Sequence, residues 1–364
     1  MKKKLLLIPL ALLLAIGLVA IGCPAAEEEV TPPPEEEVTP PPEEEVTPEV
    51  IELIVNDHNP PPTGPAQAYD YWAEQVEAES GGRLSIEVIH GGALFTGQEV
   101  YRAVETGACA GGHYVVDRED GFLLNLIMTL PFMGWSEQHV EAKYQTLLDE
   151  FPEMAAEWEG VTITSFMMMP PTHVHTVDIG KVIKTPDDID GVKIFCAEAI
   201  LSEIMNAVGA TAVEHGIMDM TPDVQTGVVD GVINHFPVLN VFGTLELLPY
   251  HTVFGNGGIN ITPMFDLMNT DVLNSLPPDL RDIMLNSSHY WFDKFNELDA
   301  ADIAGAAAFC EENNHTMTEL TPAEIEVWYN MVKDTIHADW IAECEAAGLP
   351  GQAVYDRALE LAQE

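Results

Sequence analysis

Basic side chains are scarce in this chain: 14 Lys and Arg stand against 60 Asp and Glu in 364 residues, a formal net charge of −46 at pH 7. Nucleic acids and anionic membrane surfaces are bound through basic patches, so this balance argues against both as partners of the folded body. Cysteine is scarce too. The five present, Cys23, Cys109, Cys196, Cys310 and Cys344, are far apart and never form a CxxC pair, which argues against a zinc ribbon or a dense disulfide framework. The last four are expected as buried, small apolar residues. No GxSxG, HExxH, P-loop or strand-linked GxGxxG occurs, so no catalytic residue is assigned and no cofactor is implied. After Cys23 no apolar run is long enough to span a bilayer.

The N-terminal segment carries what the body lacks. Lys2, Lys3 and Lys4 precede an uncharged apolar run that closes on Ala20-Ile21-Gly22-Cys23, the pattern of a secretory signal. Small residues just before a cysteine resemble a lipobox, so residues 1–22 are expected to be a lipoprotein signal peptide and Cys23 the lipidated first residue of the mature chain. Residues 24–50 repeat the octad EEEVTPPP. A tract of Glu and Pro can neither bury apolar surface nor hold a helix, so residues 23–50 are expected to form an extended, self-repelling stalk. Residues 1–50 hold three Lys and ten Glu, leaving the body 11 bases and 50 acids, net −39.

The body exceeds the usual size of a single core, so two lobes are expected. Ile51–Val55 and Leu84–Ile89 have the pattern of strands, and Tyr69–Glu79 between them that of an amphipathic helix ended by Gly81-Gly82. A helix over Gly97–Thr106 and a strand over Ala108–Val116 follow. Strands are expected at Val161–Phe166 and Val192–Phe195, a helix at Glu198–Val208, and a turn into a strand at Gly227–Asn234. Helices are expected at Leu280–Asp299, Ile303–Asn313 and Pro322–Ala346. This alternation predicts an α/β fold of mostly parallel sheets flanked by helices.

Several residues stand out as candidates for binding. His173 and His175 alternate on a strand and so point the same way; they could line a solute, play a structural part, or share an ion with a distant carboxylate or His251. His58 and Asn59 follow the first strand, where open α/β sheets place ligand contacts. Phe166 and Met169 could wall an apolar pocket. Phe254 and Asn256 flank glycines suited to a hinge or a close backbone approach, and Trp135 could cap a cleft.

Further segments carry a resemblance. Gly81-Gly82-Arg83-Leu84, Gly91-Gly92-Ala93-Leu94 and the helix ending on Gly107 resemble the opening of the solute receptors of tripartite ATP-independent periplasmic (TRAP) transporters, the DctP family. So do Leu130-Pro131-Phe132, Asp187-Asp188-Ile189-Asp190-Gly191-Val192-Lys193-Ile194, Gly209-Ala210, Gln225-Thr226-Gly227-Val228-Val229-Asp230-Gly231 and Leu276-Pro277, in family order. The resemblance implies a two-lobed, non-enzymatic receptor outside the cytoplasm, joined by crossing strands and a long helix and closing around one solute for a membrane permease. It implies a first lobe of residues 51–173 plus about 262–300 and a second of 174–261 plus about 301–364.

In that family an Arg ends the strand occupied here by Lys193-Ile194-Phe195 and grips the solute's carboxylate with its planar fork. Phe195 removes that clamp. It could stack on an apolar or aromatic solute, turn into the core, or face a cation. His175 falls where many relatives have a second Arg, Asn234 matches a ligand-touching Asn, and Ile233 replaces a Glu. The expectation is a lipid-anchored receptor on the periplasmic or outer face of a bacterial membrane, for an organic acid, aromatic or apolar, held without the Arg clamp. A neutral or cationic solute, or a metal ion at His173 and His175, are the alternatives.

Overall fold

The computed structural model describes residues 50–116, 118–135 and 140–363. The signal segment, Cys23 and the stalk lie outside the described residues. Pro48–Glu364 forms one compact unit, and no helix among the described residues is long and apolar enough to cross a membrane.

Eleven strands are built among the described residues: β1 Ile51–Asn56, β2 Leu84–Ile89, β3 Gly111–Tyr114, β4 Val161–Met168, β5 His173–Thr176, β6 Lys193–Cys196, β7 Thr211–Glu214, β8 Gly231–Asn234, β9 Tyr250–Val253, β10 Pro263–Asn269 and β11 Thr316–Glu319. They form two sheets, ordered β2-β1-β3-β10-β4 and β11-β9-β5-β8-β6-β7. Pairings are parallel except those of β10 in the first sheet and β5 in the second. Each of these antiparallel strands is the first after the chain changes sheets. The mixed α/β, two-sheet architecture agrees with the sequence.

Side-chain alternation sends neighbouring residues to opposite apolar layers, so each sheet has a core on both faces. Phe166 and Met168 join one layer of the first sheet, Met167 and Met169 the other. In the second sheet Ile194 and Cys196 pack on one face and Phe195 on the opposite one. The four described cysteines are buried and free, without a disulfide.

The chain passes between sheets three times: at 169–172, at 254–262, and along the helix Ser288–Glu312 that leads to β11. The first two crossings are hydrogen-bonded to each other, from Met169 N to Thr262 O (2.9 Å), Thr172 N to Asn260 O (3.0 Å) and Ile259 N to Thr172 O (2.9 Å). Gly258 permits this approach: its φ is +60°, and a Cβ there would sit 2.5 Å from the Thr172 carbonyl oxygen.

Three expectations are corrected. The helices expected at 280–299 and 303–313 are instead Pro278–Asn286 and one 25-residue helix, Ser288–Glu312. The alanine-rich, proline-free stretch after Asp299 carries the helix onward. The break comes at Ser287, whose hydroxyl accepts the Trp72 indole N–H (2.8 Å) and donates to Met284 O (2.9 Å). The third strand is shorter than expected at both ends.

The third correction concerns the C-terminus, which the sequence division gave wholly to the second lobe. The helices Ala338–Ala346 and Gly351–Gln363 send Trp340, Cys344, Val354, Tyr355, Ala358 and Leu361 into the core of the first sheet. A π turn at Lys333–His337 makes the transition. It aims His337 inward, where Nε2 donates to Pro131 O (2.8 Å) and Nδ1 accepts from the Tyr355 hydroxyl (2.9 Å).

Candidate functional site

The C-terminal ends of β1, β3, β4, β6, β8 and β9 and the N-terminal ends of β5 and β10 all lie on the side of the crossings. This is the crevice position where open α/β sheets take ligands. The segments there, 57–59, 113–116, 168–172, 196–198, 234–236 and 253–262, contain no Lys or Arg.

On the second sheet, His173 lies directly opposite Asn234. Its Nδ1 accepts the Phe254 N–H at 3.3 Å, and burial lowers its pKa to about 4, leaving a neutral ring. His175 is fully buried; its Nε2 donates to the Asn234 carbonyl (3.0 Å), and burial followed by neighbouring His251 holds its pKa well below the usual value. The Asn234 side-chain oxygen accepts the His235 N–H at 2.8 Å. Phe236 packs edge-on to His175, with ring centroids 4.6 Å apart.

On the first sheet, His58 Nδ1 lies 3.0 Å from His113 O, and the Asn59 amide donates to Asp57 Oδ1 at 2.8 Å. Asp57 is fully buried and anchored by His90 at 2.8 Å. The Asp57 side-chain hydrogen bond is the largest reason that the His90 pKa rises to about 9.

Four aromatic candidates are taken up by core packing and are not turned to the crevice. Phe195 is completely buried in an apolar layer with Met220, Val224, Val232, Leu239 and Ala306, so its ring offers no open face. Phe166 is stacked between Tyr144 and Phe265, each 4.7 Å away, inside the first core. Phe254 packs on Trp328 at 5.1 Å in the second core. Trp135 is buried in the first core, and its indole nitrogen has no partner among the described residues. Asn256 is exposed on the turn before Gly258. In each aromatic case strand or core packing accounts for the position.

Sequence reasoning missed Glu198, Asn260 and His235. Glu198 follows β6 and Thr262 precedes β10, and the carboxylate lies 3.4 Å from the threonine hydroxyl, linking the two sheets. Burial raises its pKa to about 7, only partly offset by that hydrogen bond. Asn260 is buried, its side-chain oxygen accepts from Thr172 Oγ1 at 2.6 Å, and its side-chain nitrogen has no partner among the described residues. His235 starts the helix Phe236–Val241, where its Nδ1 accepts the Val238 N–H. The register of β6 against β8 places Glu198 near Asn234, but a lone Glu after a strand carries no such signal in the sequence.

A small solvent-open cleft also lies at this junction, between Thr63–Pro65, Met169, His235, Val238, Phe295, Asp299 and Asp302. It too lacks a cation and carries two carboxylates. Apolar walls with few polar groups are what a small-molecule site requires.

Two α/β lobes with facing strand ends, joined by paired crossings and a long helix, define the class of two-lobed binding proteins. The chain belongs to the bacterial extracellular solute-binding protein family 7, DctP, whose family model matches residues 57–342. It is 22% identical over 288 residues to a solute-binding protein of Albidiferax ferrireducens, covering 75% of this chain and 80% of that one. Its fold is similar to a TRAP solute-binding protein of Rhodoferax ferrireducens solved with copurified benzoate, at TM-score 0.76 and 20% identity, over 86% of this chain and 98% of that one. It is likewise similar to a marine metagenome TRAP protein specific for aromatic acids, solved with 3-hydroxybenzoate, at TM-score 0.75 and 23% identity, over 86% and 98%. Members of the family are extracytoplasmic, non-enzymatic receptors that bind small organic solutes and work with membrane permease subunits.

Proposed function

We propose that this chain delivers to a TRAP-type permease a small organic solute with an aromatic or apolar body, whose polar end meets uncharged donors instead of a guanidinium. The observation that carries this reading is the absence of any Lys or Arg from the facing strand ends, together with Phe195 at the position of the family's Arg. Binding is assigned to the junction groups His58, Asn59, His173, Asn234, His235 and Asn260, with His175 holding the Asn234 backbone from behind. Lipidation at Cys23 and the Glu/Pro stalk would keep the receptor close to its permease. The two lobes are proposed as the moving bodies, with residues 338–363 transferred to the first.

An organic acid remains the first solute class. Neutral imidazole and amide N–H groups can hold a carboxylate, and the similar proteins solved with benzoate and 3-hydroxybenzoate carry aromatic acids. Glu198, Asp299 and Asp302 favour a second reading, a neutral or cationic solute, because a half-buried anion repels a carboxylate and attracts an ammonium group.

The test is a thermal-shift series with aromatic acids, their amides and quaternary ammonium analogues. A ligand that binds only the folded chain raises Tm by mass action. Stabilisation by any of the three that is weakened by Asn234→Ala supports the assignment. Stabilisation only by small hydrophilic dicarboxylates, or by a ligand whose affinity ignores Asn234→Ala and Asn260→Ala alike, contradicts it.

A further inference from the structure

We propose that His251 Nε2, His315 Nδ1 and Cys310 Sγ form a binding site for a zinc-class transition-metal ion, separate from the crevice. All three ligand atoms lie within 4.8 Å of one another. His251 Nε2 is 2.9 Å from His315 Nδ1 and 3.7 Å from Cys310 Sγ. A tetrahedral zinc with bonds of about 2.1 Å to nitrogen and 2.3 Å to sulfur sets its donors about 3.4 Å apart (N to N) and about 3.6 Å apart (N to S). The two separations about His251 therefore lie within about half an ångström of that geometry.

The hydrogen bonds behind the site leave a lone pair in the right place. The Asn234 carbonyl can only accept, so His175 carries its proton on Nε2 and is bare at Nδ1. His175 Nδ1 lies 2.7 Å from His251 Nδ1, which must then donate. His251 is thus left with a bare Nε2 facing His315 and Cys310. A ligating histidine that donates its other N–H to a fixed acceptor is the usual outer-shell arrangement of a metal site.

The backbone fixes the other two ligands. Cys310 lies in the last turn of the long helix, and Asn314, at φ +55°, turns the chain so that His315 N donates to Cys310 O at 2.9 Å. Pairing of β11 with β9, Thr316 opposite Tyr250, brings His315 beside His251. Cys310 and His251 are buried while His315 is half-buried, so the fourth position opens toward solvent and a water molecule. Two imidazoles and a thiolate select zinc or a similarly soft ion over calcium or magnesium, which take oxygen. On binding, the Cys310 thiol gives up its proton to solvent and His315 moves its own from Nδ1 to Nε2.

Purified chain, stripped with chelator and kept reduced, is titrated with Co²⁺ and then Zn²⁺. The expected result is a single Co²⁺ equivalent with a thiolate-to-cobalt charge-transfer band, displaced by Zn²⁺, release of a proton, and a higher Tm with Zn²⁺. Cys310→Ser should abolish the band. His315→Gln, on a half-exposed side chain, should weaken binding about tenfold or more. Glu312→Gln, an exposed neighbour, should leave it unchanged. Absence of the band, or its survival in either Cys310→Ser or His315→Gln at undiminished affinity, would overturn the proposal, since binding would then be by surface carboxylates or another thiol.

Discussion

Glu198 meets Thr262 across the junction of the two sheets, its carboxylate 3.4 Å from the hydroxyl, with burial lifting its pKa to about 7. An unfolded Glu titrates near 4.5, so between about pH 4.5 and 7 the folded state binds more protons. By linkage this group costs stability as pH rises through that window. Glu198→Gln should therefore raise Tm at pH 8 and change it little at pH 4.5, as read by thermal melts. The variant would show no such pH-dependent gain if the carboxylate were freely solvated.

The same residue distinguishes the two solute classes. A protonated Glu198 can donate to a carboxylate, so an organic acid should bind more tightly as pH falls from 8 to 6. A cation should bind more tightly as pH rises over the same range. Calorimetric titration at both values reads the sign directly, and Glu198→Gln should flatten either trend.

Phe195 fills an apolar layer, so Phe195→Ala should destabilise by about 3–5 kcal/mol in urea unfolding. Phe195→Arg, which restores the side chain of the family's pattern, places an unpaired charge among Met220, Val224 and Ala306 and should be at least as costly. A stability loss below about 1 kcal/mol for both would mean that the ring is not packed as described.

The family and much of the fold were legible because the motif residues have backbone reasons to be what they are. In QTGVVDG, Gly231 lets β8 approach β5 so closely that any Cβ would collide with the His175 carbonyl. In TPDDIDG, Thr185 and Asp188 form a capping box at the start of a short helix. Local patterns of this kind survive in a single sequence. The side to which Phe195 turns depends on the helix Phe236–Val241 and the long helix packed over it, which no local pattern records. The C-terminal helices were misplaced for the same reason: amphipathic spacing tells which face is buried, not in which lobe. Asn260 meets Thr172, and Glu198 meets Thr262, only because the chain returns between the sheets, contacts between distant segments.

Acid stability offers the last test. His173 and His235 have pKa values lowered to about 4 and His251 to about 3, in each case first by burial. Unfolded histidine titrates near 6.5, so above that value these groups carry their full contribution. Between about pH 6.5 and 4 the unfolded chain binds protons that the folded chain refuses. Stability should therefore fall through this window, by up to about 1.4 kcal/mol per pH unit for each such histidine. His90 runs the other way: its pKa is raised to about 9, so its contribution is complete below pH 6.5 and fades as pH climbs toward 9. Urea unfolding from pH 4 to 9 should give a maximum near neutrality. His235→Gln should shallow the acid limb and leave the alkaline limb unchanged, whereas His90→Gln should do the reverse.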